Sequence, residues 1–250
     1  MNKLSTLIVA RNEEKNIAEC IKSVEFSDEI IVIDDYSSDK TVEIATSLGA
    51  KVFQRAMNGD WSAQQNFSIE KATHDWVLLI DADERITPNL ANEIKKILKK
   101  DDLYAYRIKR LNYFGGKRVR FGALRPDFVT RLLPKKDFYL TGQVHPKLHY
   151  PYPEKKLKNS MLHYTYENWD AYWRKFDKYT KLSAIKYQEE NRSVNFFRDI
   201  LLRPIWAFIK VYIIQLGFLD GKIGWILALN HYLYTTTKYA RFYELKHGKN

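Results

Sequence analysis

Two carboxylates separated by one residue follow an apolar run in the first third of the chain. Asp81 and Asp83 come directly after residues 76–80, with Ala82 between them. Both carboxylates can approach one hard divalent cation, which typically keeps water ligands and bridges to substrate phosphates. Such a cation suits a pyrophosphate leaving group, whose developing charge it neutralises. An Asp-x-Asp pair by itself is more often a solvated acidic turn, so its place after a strand-like run is what predicts a metal site.

A second acidic pair, Asp34 and Asp35, follows the apolar run 29–33. A carboxylate at the end of a strand in a nucleotide-binding sheet can accept hydrogen bonds from a base or from ribose hydroxyls. The alternative is a loop that only caps the next helix, and Ser38 and Asp39 have that character. We therefore expect Asp34 or Asp35 to bind a nucleoside, and Ser38 and Asp39 to be structural.

The first apolar run ends in the polar sequence Ala10-Arg11-Asn12-Glu13. Arg11 can meet a phosphate, and Asn12 or Glu13 can meet the nucleoside. Asn12 can equally be the N-cap of the helix that follows. The two roles of Asn12 are compatible, and the sequence leaves both open.

The three polar sets belong to an alternation of strands and helices. That order predicts a parallel sheet with helices on both faces, and ligands bind such sheets at the carboxyl ends of the strands. All three polar sets should therefore lie at one edge. The predicted strands are 4–10, 29–33, 50–54 and 76–80, and the predicted helices are 13–24, 40–48, 62–72 and 87–99.

The regular alternation of predicted strands and helices ends near residue 100. Short strands predict a mixed sheet, and long helices follow it. We predict that residues 1–100 and 101–165 are two halves of one domain, and that a helical region follows at 166–250. The predicted strands are 103–111, 117–119, 128–133 and 145–150, and the predicted helices are 167–190, 196–216 and 223–245.

Composition excludes several classes of protein. The first glycine is Gly49, so neither a dinucleotide-binding glycine motif nor a P-loop can follow the first strand. The chain has one cysteine, Cys20, which excludes an internal disulfide and predicts a reducing compartment. Cys20 falls among the apolar positions of a predicted helix, where it should be a small buried side chain. No zinc-type cluster and no nucleic-acid-binding motif is present, and no signal-peptide pattern opens the chain.

Four segments of the chain resemble family 2 glycosyltransferases of the GT-A fold, and most closely the branch containing lipopolysaccharide core β-1,4-glucosyltransferases. They read LIVARNEEKNIAECIKSV, DEIIVIDDYSSDKTVEIATSLGAKVF, WSAQQNFSIEKATHDWVLLIDADERITPNL and RPDFVTRLLPKKDFYLTGQVHPKL. The resemblance covers nearly the whole chain, including GFLDGKIGWILAL near the C-terminus. It implies an α/β, Rossmann-like nucleotide-sugar-binding domain with a mixed sheet and a helical C-terminal region. In that domain, residues 1–100 would bind the nucleotide-sugar donor and residues 101–165 the acceptor.

The same resemblance implies roles for individual residues. Arg11, Asn12, Glu13 and Asp34 or Asp35 would hold the uridine of a UDP-sugar. Asp83 would be the main ligand of Mn²⁺ or Mg²⁺, and Asp81 would approach the ribose or the metal. Gln65 and Asn66 match a polar pair near the donor phosphates and sugar, and the reaction would invert the anomeric carbon.

Transfer to an acceptor hydroxyl needs a general base, normally a carboxylate. Relatives often read Val-His-Glu where this chain reads Val144-His145-Pro146. We therefore expect Asp127 to be the base, with His145 as the second candidate. The alternatives are an ion pair with a nearby arginine for Asp127 and a core hydrogen bond for His145.

Acidic residues outnumber basic ones before residue 100, whereas basic residues dominate the rest and bring the net charge to +11. Basic residues beside tryptophan and phenylalanine in 196–216 suit a helix in the headgroup region of a membrane, and the alternative is packing on the catalytic domain. These features predict a cytoplasmic protein at a membrane surface that binds no nucleic acid, and the resemblance implies a glycosyltransferase that takes a UDP-sugar donor and a lipid-linked glycan acceptor. The alternatives are a nucleotidyltransferase and an inactive protein that binds only nucleotide sugar or membrane.

Overall fold

The structure is a computed structural model that describes residues 2–143 and 146–248. Its contacts divide the chain into two compact units, which are residues 1–110 with 127–163, and residues 111–126 with 164–250. The predicted boundaries at 100 and 165 concern donor and acceptor function. They remain predictions.

Unit 1 is built on a mixed sheet with the strand order β3-β2-β1-β4-β8-β6-β11-β5. Strands β1 to β4 are parallel, whereas β8 runs antiparallel to both β4 and β6. This confirms the α/β class with a mixed sheet. The strands are β1 (Leu4–Ala10), β2 (Glu29–Asp34), β3 (Lys51–Gln54), β4 (Trp76–Asp81), β5 (Glu84–Ile86), β6 (Ala105–Phe114), β7 (Lys117–Arg118), β8 (Asp127–Pro134), β9 (Tyr139–Thr141), β10 (Lys147–His149) and β11 (Glu154–Tyr166).

The parallel strands bury apolar side chains on both faces of the sheet. In β1, Leu4 and Ile8 join one core while Leu7 joins the other, because successive side chains of a strand point to opposite faces. Cys20 is fully buried in the first core, as predicted. The helices of this unit are α1 (Ile17–Ser23), α2 (Thr41–Ser47), α3 (Trp61–Lys71) and α4 (Pro88–Ile97).

Three strands were not predicted, namely β5, β9 and β11. The first two are three residues long, which is too short for alternation to stand out. Strand β11 opens with Glu-Lys-Lys, and these exposed charges hide the alternation that follows. Helix α1 begins at Ile17 rather than at residue 13, since the preceding residues form a loop.

Unit 2 contains the turn from β6 into β7 and a set of helices. Phe114 and Trp169 pack with ring centroids 4.3 Å apart in its core, which also includes Leu227. The predicted helix 196–216 is interrupted by wider, π-helical turns on both sides of α6. The elements are α5 (Trp169–Glu189), the π-helical segments Phe196–Leu202 and Lys210–Ile214, α6 (Arg203–Ile209) and α7 (Gly221–His247).

Candidate active site

The carboxyl ends of β1, β2 and β4 meet at one edge of the sheet, as the alternation predicts. Ala10 pairs with Asp34 across β1 and β2, and Val9 pairs with Asp81 across β1 and β4. Strand register therefore brings together polar groups that are as far apart in sequence as Arg11 and Asp83, which are separated by 72 positions. All of them belong to unit 1.

The loop after β1 is fixed by Asn12, which has a positive φ of 54°. Its backbone N–H donates to Ser37 Oγ at 2.8 Å, and its side-chain oxygen accepts from Ser38 N at 2.8 Å. The helix N-cap is Asn16, so the N-cap role for Asn12 was wrong. Asn12 instead joins the loops after β1 and β2. The exposed Arg11 guanidinium lies beside them, 2.9 Å from Asp35.

Asp34 and Asp35 are buried, and both already accept hydrogen bonds within the protein. Asp34 accepts from Ser37 and from Gln54 Nε2, which is 3.1 Å away. Asp35 accepts from Arg11 and from the backbone N–H of Met57 at 2.9 Å. Both carboxylates thus shape the edge at which we expect the nucleoside. That either touches it remains a prediction.

The turn from β4 into β5 carries the predicted metal residues. Ala82 is buried in this turn, while Asp81 is partly exposed. The backbone N–H of Asp81 donates to the Glu84 carboxylate at 3.0 Å, which closes the turn. Arg131 on β8 donates to both Asp81 and Glu84, with a distance of 2.7 Å to Glu84. Arg131 therefore holds Asp81 in place. The expected contact of Asp81 with the ribose or the metal remains a prediction.

Burial and ion pairing together determine the pKa values of the two side chains behind this turn. The Glu84 side chain is fully buried, and its burial raises the carboxyl pKa despite the nearby Arg131. For Arg131, burial alone would lower the pKa, but Asp81 and Glu84 outweigh it and raise the pKa. The guanidinium is thus locked in its charged form. Among the described residues, Arg131 Nε is a buried nitrogen without a hydrogen-bond partner.

Asp127 lies at the start of β8 and forms a two-point ion pair with Arg110 on β6. The two distances are 3.0 Å from Nε to Oδ1 and 2.6 Å from Nη2 to Oδ2. Burial alone would raise the pKa of Asp127, but the Arg110 hydrogen bonds dominate and lower it. The ion pair considered as an alternative for Asp127 is therefore present. It keeps the carboxylate ionised at neutral pH.

His163 on β11 lies beside the predicted metal residue Asp83, and the sequence interpretation did not include it. Strand β11 pairs with β5 so that His163 is opposite Glu84, and His163 Nε2 lies 3.6 Å from Asp83 Oδ1. Both side chains are largely buried. A carboxylate oxygen and an imidazole nitrogen at this distance are a reasonable pair of metal donors. No motif indicated His163, because it becomes adjacent to Asp83 only through a strand that was not predicted.

Gln65 and Asn66 lie on α3, after its N-cap Asp60. The Asn66 amide donates to the Leu140 carbonyl and accepts from the Leu140 N–H, both at 2.9 Å. Asn66 therefore fastens α3 to β9, and Gln65 is half-buried beside it. His145 lies outside the described residues. Its role as the second candidate base remains a prediction.

Glycosyl transferase family 2 matches the chain over residues 5–187, which include every predicted site residue. The chain belongs to this family. Family membership removes support for the nucleotidyltransferase alternative.

Curated relatives of this family 2 protein are also glycosyltransferases. An uncharacterized glycosyltransferase of Rickettsia prowazekii is 30% identical over 98% of this chain and 87% of its own length. The lipopolysaccharide core biosynthesis glycosyltransferase LpsC of Rhizobium meliloti is 28% identical over 96% of this chain and 92% of its own. Glucosyl-3-phosphoglycerate synthase of Mycobacterium tuberculosis, solved with Mn²⁺ and UDP-glucose, is 22% identical with a TM-score of 0.36 over 46% of each chain.

Proposed function

We propose that this protein is an inverting, metal-dependent glycosyltransferase that moves a hexose, with glucose favoured, from a UDP-sugar to a lipid-linked saccharide such as the lipopolysaccharide core. The observation that carries the proposal is the position of Asp83 beside His163 at the carboxyl edge of the sheet. The LpsC relative supports the type of acceptor. Work on a lipid-linked acceptor would place the enzyme at the cytoplasmic face of a membrane.

Asp83, as the main ligand, and His163 would hold the cation, which we expect to be Mn²⁺ or Mg²⁺, and Asp81 would approach the ribose or the metal. Among the described residues, no group of three His, Cys, Asp or Glu side chains is placed to bind a metal. Two protein ligands leave positions for water and for donor phosphate oxygens, as hard cations at phosphate sites prefer. When bound, the cation would neutralise the charge that develops on the departing diphosphate.

The nucleoside end of the donor would lie against the loops that Asn12 joins. Arg11 is exposed on one side of these loops and can supply positive charge to a phosphate. Glu13, Asp34 and Asp35 offer acceptors at the same edge. We expect Gln65 to face the donor sugar and phosphates, with Asn66 supporting α3.

Asp127 would take the proton of the acceptor hydroxyl. As the acceptor oxygen forms a bond to the anomeric carbon, the bond from this carbon to the UDP oxygen breaks. The configuration of the anomeric carbon is thereby inverted. Arg110 keeps Asp127 ionised and orients both of its oxygens. The lowered pKa makes Asp127 a weak base, so the proton would pass to it late, as the attacking oxygen becomes acidic.

The decisive experiment measures UDP release from a panel of UDP-sugars with Mn²⁺, with and without detergent-solubilised lipopolysaccharide core. We expect release that depends on both metal and acceptor for a single donor. Asp83→Asn should lower this turnover at least about hundredfold, because it removes the charge that holds the cation. The exposed Asp101→Asn is the matched control and should leave turnover unchanged.

Three other results would overturn parts of this proposal. Full turnover in excess EDTA would refute the metal role of Asp83 and His163. Tight, metal-dependent UDP binding without turnover on any acceptor would favour the inactive nucleotide-sugar-binding alternative. A normal metal requirement in His163→Asn, compared with the control His74→Asn, would remove His163 from the metal site.

A further inference from the structure

The helices between residues 196 and 233 of unit 2 present large apolar side chains to the outside. The exposed fractions are 70% for Phe197, 62% for Leu202 and 57% for Trp206. Side chains of this size normally form the core of a water-soluble helical unit. A continuous apolar surface of this kind marks an interaction site.

Several buried positions of the same helices are occupied by small residues. Pro204, Ala207 and Val211 form the inward face of α6 and the segment after it. A Cβ atom on Gly217 would lie 2.7 Å from the Val211 carbonyl oxygen, and one on Gly224 would lie 1.8 Å from the Gly217 carbonyl oxygen. The backbones therefore approach too closely for any side chain. Small residues inside with large apolar residues outside are typical of helices that contact lipid.

The most apolar part of this surface surrounds a break between two helices. Among the described residues, no helix by itself has the length and apolar character to cross a bilayer. Phe196–Ile214 and Gly217–His247, which meet at a bend of 68°, meet those criteria only as a pair. Exposed apolar side chains cluster at the bend, and residues 213–219 are called the apolar tip below. Its exposed members are Ile213, Ile214, Leu216, Phe218 and Leu219.

Positive charges flank the apolar tip on both sides. Lys210 and Lys222 are exposed, and Asp220 is the one ionisable acidic or basic residue between them. The Asp220 carboxylate accepts hydrogen bonds from the backbone N–H groups of Arg120 and Phe121, the latter at 2.8 Å. An anionic lipid surface would therefore meet the apolar tip between two lysines, while the Asp220 carboxylate is already hydrogen-bonded to the backbone.

We infer that the apolar tip inserts into one leaflet of an anionic phospholipid membrane while Lys210 and Lys222 meet lipid phosphates. This inference rests on the membrane location in the proposed function and is independent of the donor and the metal. A second copy of the chain fits this surface less well, because a symmetric contact would place the lysines of both copies together. Interfacial helices of this character bind by apolar burial combined with attraction to anionic lipid.

The test uses the purified full chain with vesicles of phosphatidylcholine, with or without phosphatidylglycerol. Wild type should sediment with the anionic vesicles, and added salt should weaken binding. Ile214→Ser/Leu219→Ser should weaken this partitioning at least about tenfold. The exposed Leu103→Ser in unit 1 is the matched control and should leave it unchanged. Lys210→Gln/Lys222→Gln should remove the preference for phosphatidylglycerol.

UDP binding, measured on each variant, separates the two proposals. Normal UDP binding with lost vesicle binding in the tip variant supports the inference even if no acceptor is ever found. Failure of wild type to bind anionic vesicles would overturn it. Equal vesicle binding by the tip variant and wild type would also overturn it, and so would a stable dimer that the tip variant converts to monomer.

Discussion

The carboxylates near the end of β4 differ in what holds them, and this difference decides their chemistry. Asp83 lies beside His163, whereas Asp127 is bound at two points by Arg110. The positions of the aspartates could be predicted, because each follows or begins a strand in a local pattern. Their partners could not, since these come from strands that pair across the sheet and no local pattern reports that pairing.

At this scale, Asp127→Asn should lower kcat by about 10²–10⁴ while changing the KM for the UDP-sugar little, because the amide cannot take the acceptor proton. Steady-state kinetics with donor and acceptor varied separately would measure this. The control is Asp101→Asn, which should leave both constants unchanged. An unaltered kcat in Asp127→Asn would transfer the role of base to His145.

The pH profile distinguishes the same two candidates. A base is inactive when protonated, so kcat falls as pH drops through its pKa. Arg110 lowers the pKa of Asp127 below the ordinary carboxyl range, and this group therefore stays active across pH 5–8. A histidine base would lose activity below about pH 6.5.

Arg131 should stabilise the fold more than any exposed ion pair, because it neutralises the fully buried Glu84. Arg131→Met should lower the free energy of unfolding by about 3–5 kcal/mol, since it leaves a buried charge without its main partner. Urea denaturation would measure the loss. The double variant Arg131→Met/Glu84→Gln should recover part of it, and an equal loss in both variants would show that the charge is not the cause.

At the scale of elements, the regular alternation of 1–100 was predictable because each strand and helix there has its own apolar period. Strand β11 was not, although it carries His163. Its first half is exposed and charged, and its pairing with β5 depends on residues about 77 positions earlier. Helix α1 also began later than expected, because Asn12 binds the neighbouring loop instead of capping a helix.

Glu29 joins several of these elements at the opposite end of β2. Its carboxylate accepts from Ser5 at 2.6 Å, from Lys51 at 2.7 Å and from Thr73 N at 3.0 Å. Burial alone would raise its pKa, but these donors lower it from 4.5 to about 2. Since the folded pKa is depressed, this stabilisation is complete above about pH 4.5 and is lost as pH falls toward 2.

Glu29→Gln should therefore destabilise the fold by about 1–3 kcal/mol at pH 7, because the neutral amide cannot accept at both positions. Urea unfolding at pH 7 and at pH 3 would show the difference from wild type shrinking in acid. The exposed Glu25→Gln serves as control. A difference that does not change with pH would mean that shape, and not charge, is responsible.

At the scale of the whole molecule, every predicted donor residue belongs to unit 1 and the apolar tip belongs to unit 2. Stabilisation of the protein by donor binding should therefore not depend on the apolar tip. UDP at about a hundred times its Kd should add about 2.7 kcal/mol, provided Mn²⁺ is present. In thermal unfolding this should raise Tm by roughly 5–10 °C.

The shift in Tm should disappear in EDTA and in Asp83→Asn, while Ile214→Ser/Leu219→Ser should retain it. An equal shift without metal would mean that the nucleotide is held by the loops alone. Loss of the shift in the tip variant would mean that the two units are energetically coupled.

The buried Cys20 makes the protein convenient for labelling. Its side chain is fully enclosed, its Sγ lies 3.6 Å from the Asp81 carbonyl oxygen, and burial raises the thiol pKa well above its usual range. The thiolate is the nucleophile that adds to a maleimide, so a buried thiol that stays protonated should be nearly inert to this reagent. A fluorophore attached to Leu219→Cys would thus report from a single known position. The rate of any slow modification of Cys20 would in turn measure how often the sheet edge near Asp81 opens.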